Sequence, residues 1–359
     1  MAPALPSTAQ DAAPLCRKPA LKLVKTQTLD RDQWLAVRKR GIGSSDAAAA
    51  VGLNPYKSQL ELWMEKTGRD AGLPKIDPED DSTPVYWGTL LEHIVAAQYT
   101  RRTGHRIRRV NAVLQHPTEP WMLANLDREV IGVPGVQILE CKTAGINGAR
   151  LWRDGVPEYV QLQVMHQLAV TGKQAADVAV LICGQELRIH RIDRDERLIA
   201  QLVELERRFW RCVELDIAPS ADGSDSGHQA LQALYPRDDG NVLDFSGDLV
   251  MSALFSDLLA VRQVLKAQTE QEARIKQAIQ QRMGSATRAV FETGEVSWKR
   301  SQDSEVLDTA RLCRDEPELA RCFMTTKPGS RRFTVHDDND RAQPFHFNDK
   351  ESPCSKASP

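Results

Sequence analysis

Apolar positions recur along the chain with two periods, one near 3.6 and one of two, and stretches of each kind alternate. A first helix is predicted to begin near Asp30, with Trp34, Leu35 and Arg38 on successive turns. Ser44, Ser45 or Asp46 followed by Ala47–Ala50 reads as a helix start. From Pro84 to Thr103, Trp87, Leu91, Val95 and Tyr99 recur four apart and predict a longer helix with a buried stripe. Residues 108–115, 122–129 and 136–142 read as successive antiparallel strands. Residues 157–172 read as a helix ended by Gly172. Residues 176–183 and 187–192 read as a strand pair, and 195–216 as an amphipathic helix carrying Leu198, Leu202, Leu205, Phe209 and Val213. The predicted class is therefore α/β, with helix, strands, helix, strands and helix in order.

The pattern changes after Pro219. Residues 218–227 are rich in Ser, Asp and Gly and read as a linker. A long helix is predicted over 247–283, where Leu254, Leu258, Val261, Leu265, Gln268, Glu272, Ile275 and Ile279 alternate four and three apart, a short heptad pattern with two polar positions in its middle. A hairpin at 289–298, a helix at 304–314 and a strand at 331–335 follow. The predicted division is a flexible tail over 1–29, a catalytic domain over 30–217, an accessory region over 218–336 and a disordered tail over 337–359.

One predicted strand carries charges that core strands rarely carry. In Val136-Gln-Ile-Leu-Glu140-Cys141-Lys142, Glu140 and Lys142 lie two apart and so project from the same face. Burying a carboxylate and an ammonium is costly unless they pair or meet a metal. Asp127 lies one short hairpin upstream, across the turn 132–135, and can reach the same point. Two carboxylates and a lysine can hold a divalent cation and orient a water for phosphodiester hydrolysis. A structural salt bridge explains the spacing equally well when it is taken alone.

Composition narrows the field. The chain has 359 residues, 27% of them charged, with a net charge of −2, which is ordinary for a globular protein and mildly unfavourable for a nucleic-acid binder. The charge is uneven: 101–109 holds five arginines, of which Arg106 and Arg108 fall on one strand face, and 77–81 is acidic. No apolar run is long enough to span a membrane. Seven scattered cysteines show no CxxC spacing, which fits reduced thiols in a cytoplasm rather than a zinc or iron–sulfur site.

Five motifs in order then resemble the YqaJ-type viral recombinases, the nuclease family that includes lambda exonuclease, with the PD-(D/E)xK fold. They are Arg38-x-x-Gly41-Ile-Gly43-Ser44-Ser45-Asp46, Gly88-x-x-x-Glu92, Asp127, Glu140-Cys141-Lys142 and Pro157-x-Tyr159-x-Gln161-x-Gln163. The resemblance runs from about Arg31 to Glu214 and is looser in the C-terminal region. It implies a restriction-endonuclease-like core, a central mixed sheet flanked by helices, with a C-terminal helical arm.

The resemblance also implies roles. Asp127, Glu140 and the Cys141 carbonyl would bind Mg²⁺ or Mn²⁺, and Glu92 a second ion or its water. Lys142 would orient or help deprotonate the attacking water. Arg38 and Ser45, with Ser44 beside them, would receive a 5′ phosphate at a DNA end. Gln161 and Gln163 stand about 200° apart on a helix, so they cannot both face the site; Gln161 is favoured as the scissile-phosphate contact. The implied activity is 5′ to 3′ resection of double-stranded DNA ends, leaving a 3′ strand for a single-strand annealing protein. A homo-oligomer, phage or prophage origin and work in the bacterial cytoplasm are further implications. The rivals are a Cas4- or RecB-like repair nuclease and a non-catalytic DNA-end-binding scaffold.

Overall fold

The computed structural model describes residues 19–75, 77–326 and 329–336. The chain divides into two compact units, the first ending at Pro236 and the second beginning at Arg237. In order, the first unit contains β1 (Leu21–Lys25), α1 (Arg31–Lys39), β2 (Ile42–Gly43), α2 (Ala47–Ala50), α3 (Gln59–Lys66), α4 (Pro84–Thr103), β3 (Arg106–Arg108), β4 (Ala112–Gln115), β5 (Met122–Ala124) and β6 (Arg128–Ile131). It continues with β7 (Ile138–Ala144), α5 (Ile146–Ala149), α6 (Glu158–Thr171), β8 (Ala175–Ile182), β9 (Glu186–Asp193), α7 (Glu196–Glu214) and α8 (Asp225–Leu234).

Two mixed sheets flanked by helices form this unit. One has the order β3-β6-β7-β8-β9, with β7 and β8 parallel and the other neighbours antiparallel. The other has the order β1-β4-β5-β2, with β2 parallel to β5. The parallel pair β7–β8 requires a crossover, and α5 and α6 supply it. β8 (Ala-Ala-Asp-Val-Ala-Val-Leu-Ile) is buried almost throughout, as a central strand covered on both faces must be. β9 carries Arg188, Arg191 and Asp193 on a partly exposed edge, which discourages pairing with another chain.

The five-stranded sheet separates two cores. On one face Ile138, Val178, Val180 and Ile182 pack against α6 and α7. On the other, Leu139, Ala179 and Leu187 pack against Val95, Ala96 and Tyr99 of α4. α6 is apolar nearly all round because it lies between α7 and both sheets. Gly172 ends it in a left-handed conformation (φ 70°), as expected from the sequence.

Several predicted boundaries move. The strand predicted over 108–115 is two strands, β3 and β4, in different sheets, and that predicted over 122–129 is β5 and β6. Period-two patterning cannot detect a chain that leaves one sheet for another. Within the predicted flexible tail, Leu21–Lys25 instead pairs with β4; residues 1–18 lie outside the described residues. The buried stripe of α4 covers only its second half, because Trp87 is 47% exposed. The linker predicted over 218–227 opens α8, whose Ala230 is fully buried in the main core, so the first unit runs past the predicted boundary at 217.

The second unit contains α9 (Leu249–Met283), the hairpin β10 (Arg288–Phe291) and β11 (Gly294–Ser297), α10 (Thr309–Asp315) and α11 (Pro317–Cys322). The heptad segment is one continuous helix with no buried residue. Residues 331–335, predicted as a strand, have no regular structure, and 337–359 lie outside the described residues.

Candidate active site

The break between β5 and β6 places the first carboxylate. The chain leaves one sheet at Ala124 and joins the other at Arg128, so Asp127 sits at the crossing, in an irregular turn beside the centre of β7. Its Oδ2 accepts from the backbone N–H of Cys141 at 2.8 Å. Glu140 and Lys142 project from β7 toward α6, as strand alternation requires, and their side chains meet at 2.9 Å. The Cys141 side chain turns to the opposite core.

α6 supplies the amides that hold Glu140. Gln163 donates to Glu140 Oε1 at 2.5 Å and accepts from Lys142 Nζ at 2.9 Å. Gln167, one helical turn later, donates to Glu140 Oε2 at 2.7 Å. Gln161, favoured from the sequence as the scissile-phosphate contact, is exposed and donates to the Val156 carbonyl at 2.6 Å, while Gln163 is the one that meets Glu140 and Lys142. The rotation of α6 is set by the residues packed around it, which its own sequence does not reveal. Gln167 is not among the sequence candidates, although its i,i+4 relation to Gln163 is the available signal.

Electrostatics bind the group together. Burial pushes the Asp127 carboxyl up to about 8, with repulsion from Glu140 and Glu92 adding to it and the Cys141 N–H opposing. Burial works against the Lys142 ammonium, but Glu140 outweighs it, with help from Asp127, and the pKa stands above its ordinary value. Lys142 is therefore a held cation and a donor in this arrangement, placed to orient a water.

Glu92 comes from α4, which packs on β7; one turn earlier, a Cβ on Gly88 would make ordinary contact with Thr143 Oγ1 at 3.8 Å. Glu92 accepts from Arg128 at 2.5 Å, and the same guanidinium donates to the Asp127 carbonyl at 2.6 Å. Glu92, Asp127, Arg109 and Asn111 line one cleft of about 290 Å³. Arg109, the last arginine of the 101–109 run, thus reaches the site. Arg106 and Arg108 are exposed while Ile107 packs inward; Arg108 is paired with Glu129 at 2.5 Å.

A second polar cluster lies where β2 meets the turn 44–46. Arg38 donates to Ser45 Oγ at 2.9 Å and Asp46 Oδ1 at 2.8 Å, with its guanidinium over the Trp34 ring. Lys66, not singled out from the sequence, holds the other Asp46 oxygen at 2.7 Å. Despite its burial, Asp46 is kept well below the usual carboxylate range by Arg38 and Lys66. Two cations share one carboxylate, so the cluster keeps a net positive charge beside the hydroxyl of Ser45. Ser44 is buried beneath it. Gly41 has a steric reason: a Cβ there would collide with the Trp121 carbonyl oxygen.

Among the described residues no three His, Cys, Asp or Glu side chains form a ready metal cluster, and Glu92 is paired with Arg128. The donor chemistry nonetheless suits a hard cation. Asp127 and Glu140 repel each other across a buried space, and the Gln167 amide oxygen beside them is buried without a partner.

The profile of the YqaJ-like viral recombinase domain matches residues 33–174. The YqaJ protein of Bacillus subtilis (strain 168) is 33% identical over 307 residues, covering 84% of this chain and 93% of that protein. A protein of African swine fever virus (strain Badajoz 1971 Vero-adapted) is 40% identical over 63 residues, which cover 18% of this chain and 16% of that protein. Looser likenesses reach solved structures. An alkaline exonuclease from Laribacter hongkongensis has a TM-score of 0.42 at 23% identity, covering 52% of this chain and 94% of that one. A phage-related exonuclease from Haemophilus somnus 129PT has a TM-score of 0.35 at 10% identity, with 51% and 98% covered.

Proposed function

The chain belongs to the YqaJ-like viral recombinase family, and from that premise we propose that it is a metal-dependent nuclease degrading double-stranded DNA from its ends. The observation that carries this reading is the meeting of Asp127, Glu140 and Lys142, with Asp127 forced toward its protonated form by burial and by its neighbours. A purely structural salt bridge needs one carboxylate; this site buries a second one against it.

Asp127, Glu140 and the Cys141 carbonyl would hold Mg²⁺ or Mn²⁺, and Glu92 could serve a second ion once released from Arg128. The bound cation would make water a nucleophile at neutral pH and offset charge on the phosphoryl oxygens. Lys142, held charged by Glu140, offers a donor to the scissile phosphate and stabilises charge that develops there. Gln163 ties Lys142 to Glu140 and fixes both before substrate arrives. The net positive cluster of Arg38, Lys66 and Ser45 suits a terminal 5′ phosphate, which supports attack from a 5′ end. A 3′ strand left by such resection would pass to an annealing protein. The setting would be a bacterial cytoplasm during phage recombination, and assembly into a homo-oligomer would favour processive action.

End-labelled linear duplexes with 5′-phosphate or 5′-hydroxyl termini and a closed circle, each with Mg²⁺ or EDTA, test this reading. Only linear DNA should be degraded, only with metal, and faster from the 5′-phosphate. Equal cleavage of the circle would replace an exonuclease by an endonuclease, and no cleavage of any substrate would leave a binding scaffold.

A further inference from the structure

Beyond the end of β7 the chain builds a cleft that neither the catalytic group nor the Arg38 cluster uses. Its volume is about 320 Å³, and Ala149, Arg150, Arg153, Ile182 and Arg188 line it with no carboxylate among them. Arg150 opens the helical turn that follows α5, and Arg153 closes it. At this tight pitch side chains three apart lie over one another, so the two guanidinium groups share a side. The turn is anchored from below. Trp152 is 2% exposed, its ring lies against His190, and its carbonyl accepts from Arg188 at 3.1 Å.

The charge here is only partly balanced. Arg188 is held by both oxygens of Glu186, at 2.8 and 3.0 Å. Arg150 and Arg153 are exposed, and among the described residues neither forms an ion pair. Two like charges displayed side by side by an anchored turn are unfavourable without an anionic partner.

The sheet register places this cleft in line with the catalytic residues. Glu140, Lys142 and Ala144 pair with Val178, Val180 and Ile182 across the parallel ladder. Paired residues point to one face, so Ile182, a wall of the cleft, lies on the face that carries Glu140 and Lys142. The step from Lys142 to the Ala144–Ile182 pair is roughly 7 Å at about 3.3 Å per residue. A polyanion seated at Lys142 would reach the arginines by continuing along the strand. Guanidinium groups suit phosphate oxygens through their paired donors.

We propose that Arg150 and Arg153, supported by Arg188, form a second backbone site that grips duplex DNA phosphates on one side of the scissile bond. The inference rests on the nuclease reading above and adds a substrate contact to it. Its test is the salt dependence of binding, measured by anisotropy with a labelled duplex in Ca²⁺ to block cleavage. Wild-type protein should bind with a steep slope of log affinity against log salt. R153Q should flatten that slope by about 0.9 and R150Q/R153Q by about 1.8. R150K/R153K, which keeps the charge, should restore the slope, and unchanged thermal melts would show that each variant is folded. Tight wild-type binding with an unchanged slope in R150Q/R153Q would overturn the second site while leaving the nuclease reading intact. Absence of salt-dependent duplex binding by wild type would overturn both.

Discussion

Asp127 and Glu140 repel each other in a pocket that shields them poorly from one another, and this has a measurable cost. The Asp127 carboxyl is raised from an ordinary 3.8 to about 8. Between those values the folded chain keeps a proton that the unfolded chain has released, so metal-free stability falls as pH rises from roughly 4 to roughly 8. Asp127→Asn should flatten that decline and raise the metal-free melting temperature at pH 8, while abolishing cleavage. Thermal melts in EDTA across this range check it; identical pH profiles for variant and wild type would remove the electrostatic argument. Gln163→Ala should lower activity about 10- to 100-fold, as loss of a residue that orients the primary groups does. Gln161→Ala should stay near wild type, and the reverse order of effects would make Gln161 the phosphate contact. Glu140 and Lys142 were legible because strand alternation fixes which side chains share a face, and Asp127 because a short hairpin returns the chain beside them. Gln163 over Gln161 was not, because a helix that is apolar nearly all round gives no sign of which face meets the site. Lys66 lies 20 residues from Asp46 on another helix, and no local pattern joins them.

At the scale of elements, α6 holds the site in place through a buried ion pair. His166 is fully buried, with Nδ1 at 2.7 Å from Glu206 of α7 and Nε2 at 2.9 Å from the Leu123 carbonyl of β5. Two oxygen acceptors flank the ring, which favours protons on both nitrogens. Burial opposes that charge, but Glu206 and the Leu123 carbonyl outweigh it and raise the pKa above its ordinary 6.5. The stabilisation is complete below about 6.5, the unfolded value, and is lost as pH rises through the higher folded value. His166→Gln should cost about 3–5 kcal/mol near pH 6, because it leaves a buried carboxylate uncompensated. Urea unfolding at pH 6 and pH 9 should show the gap between variant and wild type narrowing at the higher pH; a constant gap would mean that the pair carries no charge. Helices with strong end signals, α1 with its Asp30 capping box and α4 between Thr83 and Gly104, were readable from sequence. α8 was not, because its Ser, Asp and Gly residues resemble a linker and its helix is held by tertiary contacts. Ser226 bonds to the Ser58 N–H at 2.8 Å and also donates to Glu61 of α3.

At the scale of the whole molecule, the first unit contains every residue assigned to chemistry. A chain ending at Pro236 should therefore fold and retain metal-dependent cleavage. One ending at Ala218 should melt at lower temperature, because it loses Ala230 from the core. Equal melting temperatures would show α8 to be dispensable. The apolar residues Leu254, Val261, Leu265 and Ile275 of α9 are more than half exposed, and we expect this helix to mediate assembly of full-length chains. Light scattering should then give a larger species for the full chain than for 1–236. We propose that Asp127, Glu140 and Lys142 hydrolyse DNA with a divalent cation. Its most direct test is release of labelled nucleotide from a linear 5′-phosphorylated duplex by wild type, Asp127→Asn and Glu140→Gln, in Mg²⁺ and in EDTA. Wild type should release nucleotide in Mg²⁺ alone, and neither folded variant should release any. Mg²⁺-dependent release by Glu140→Gln at the wild-type rate would contradict it.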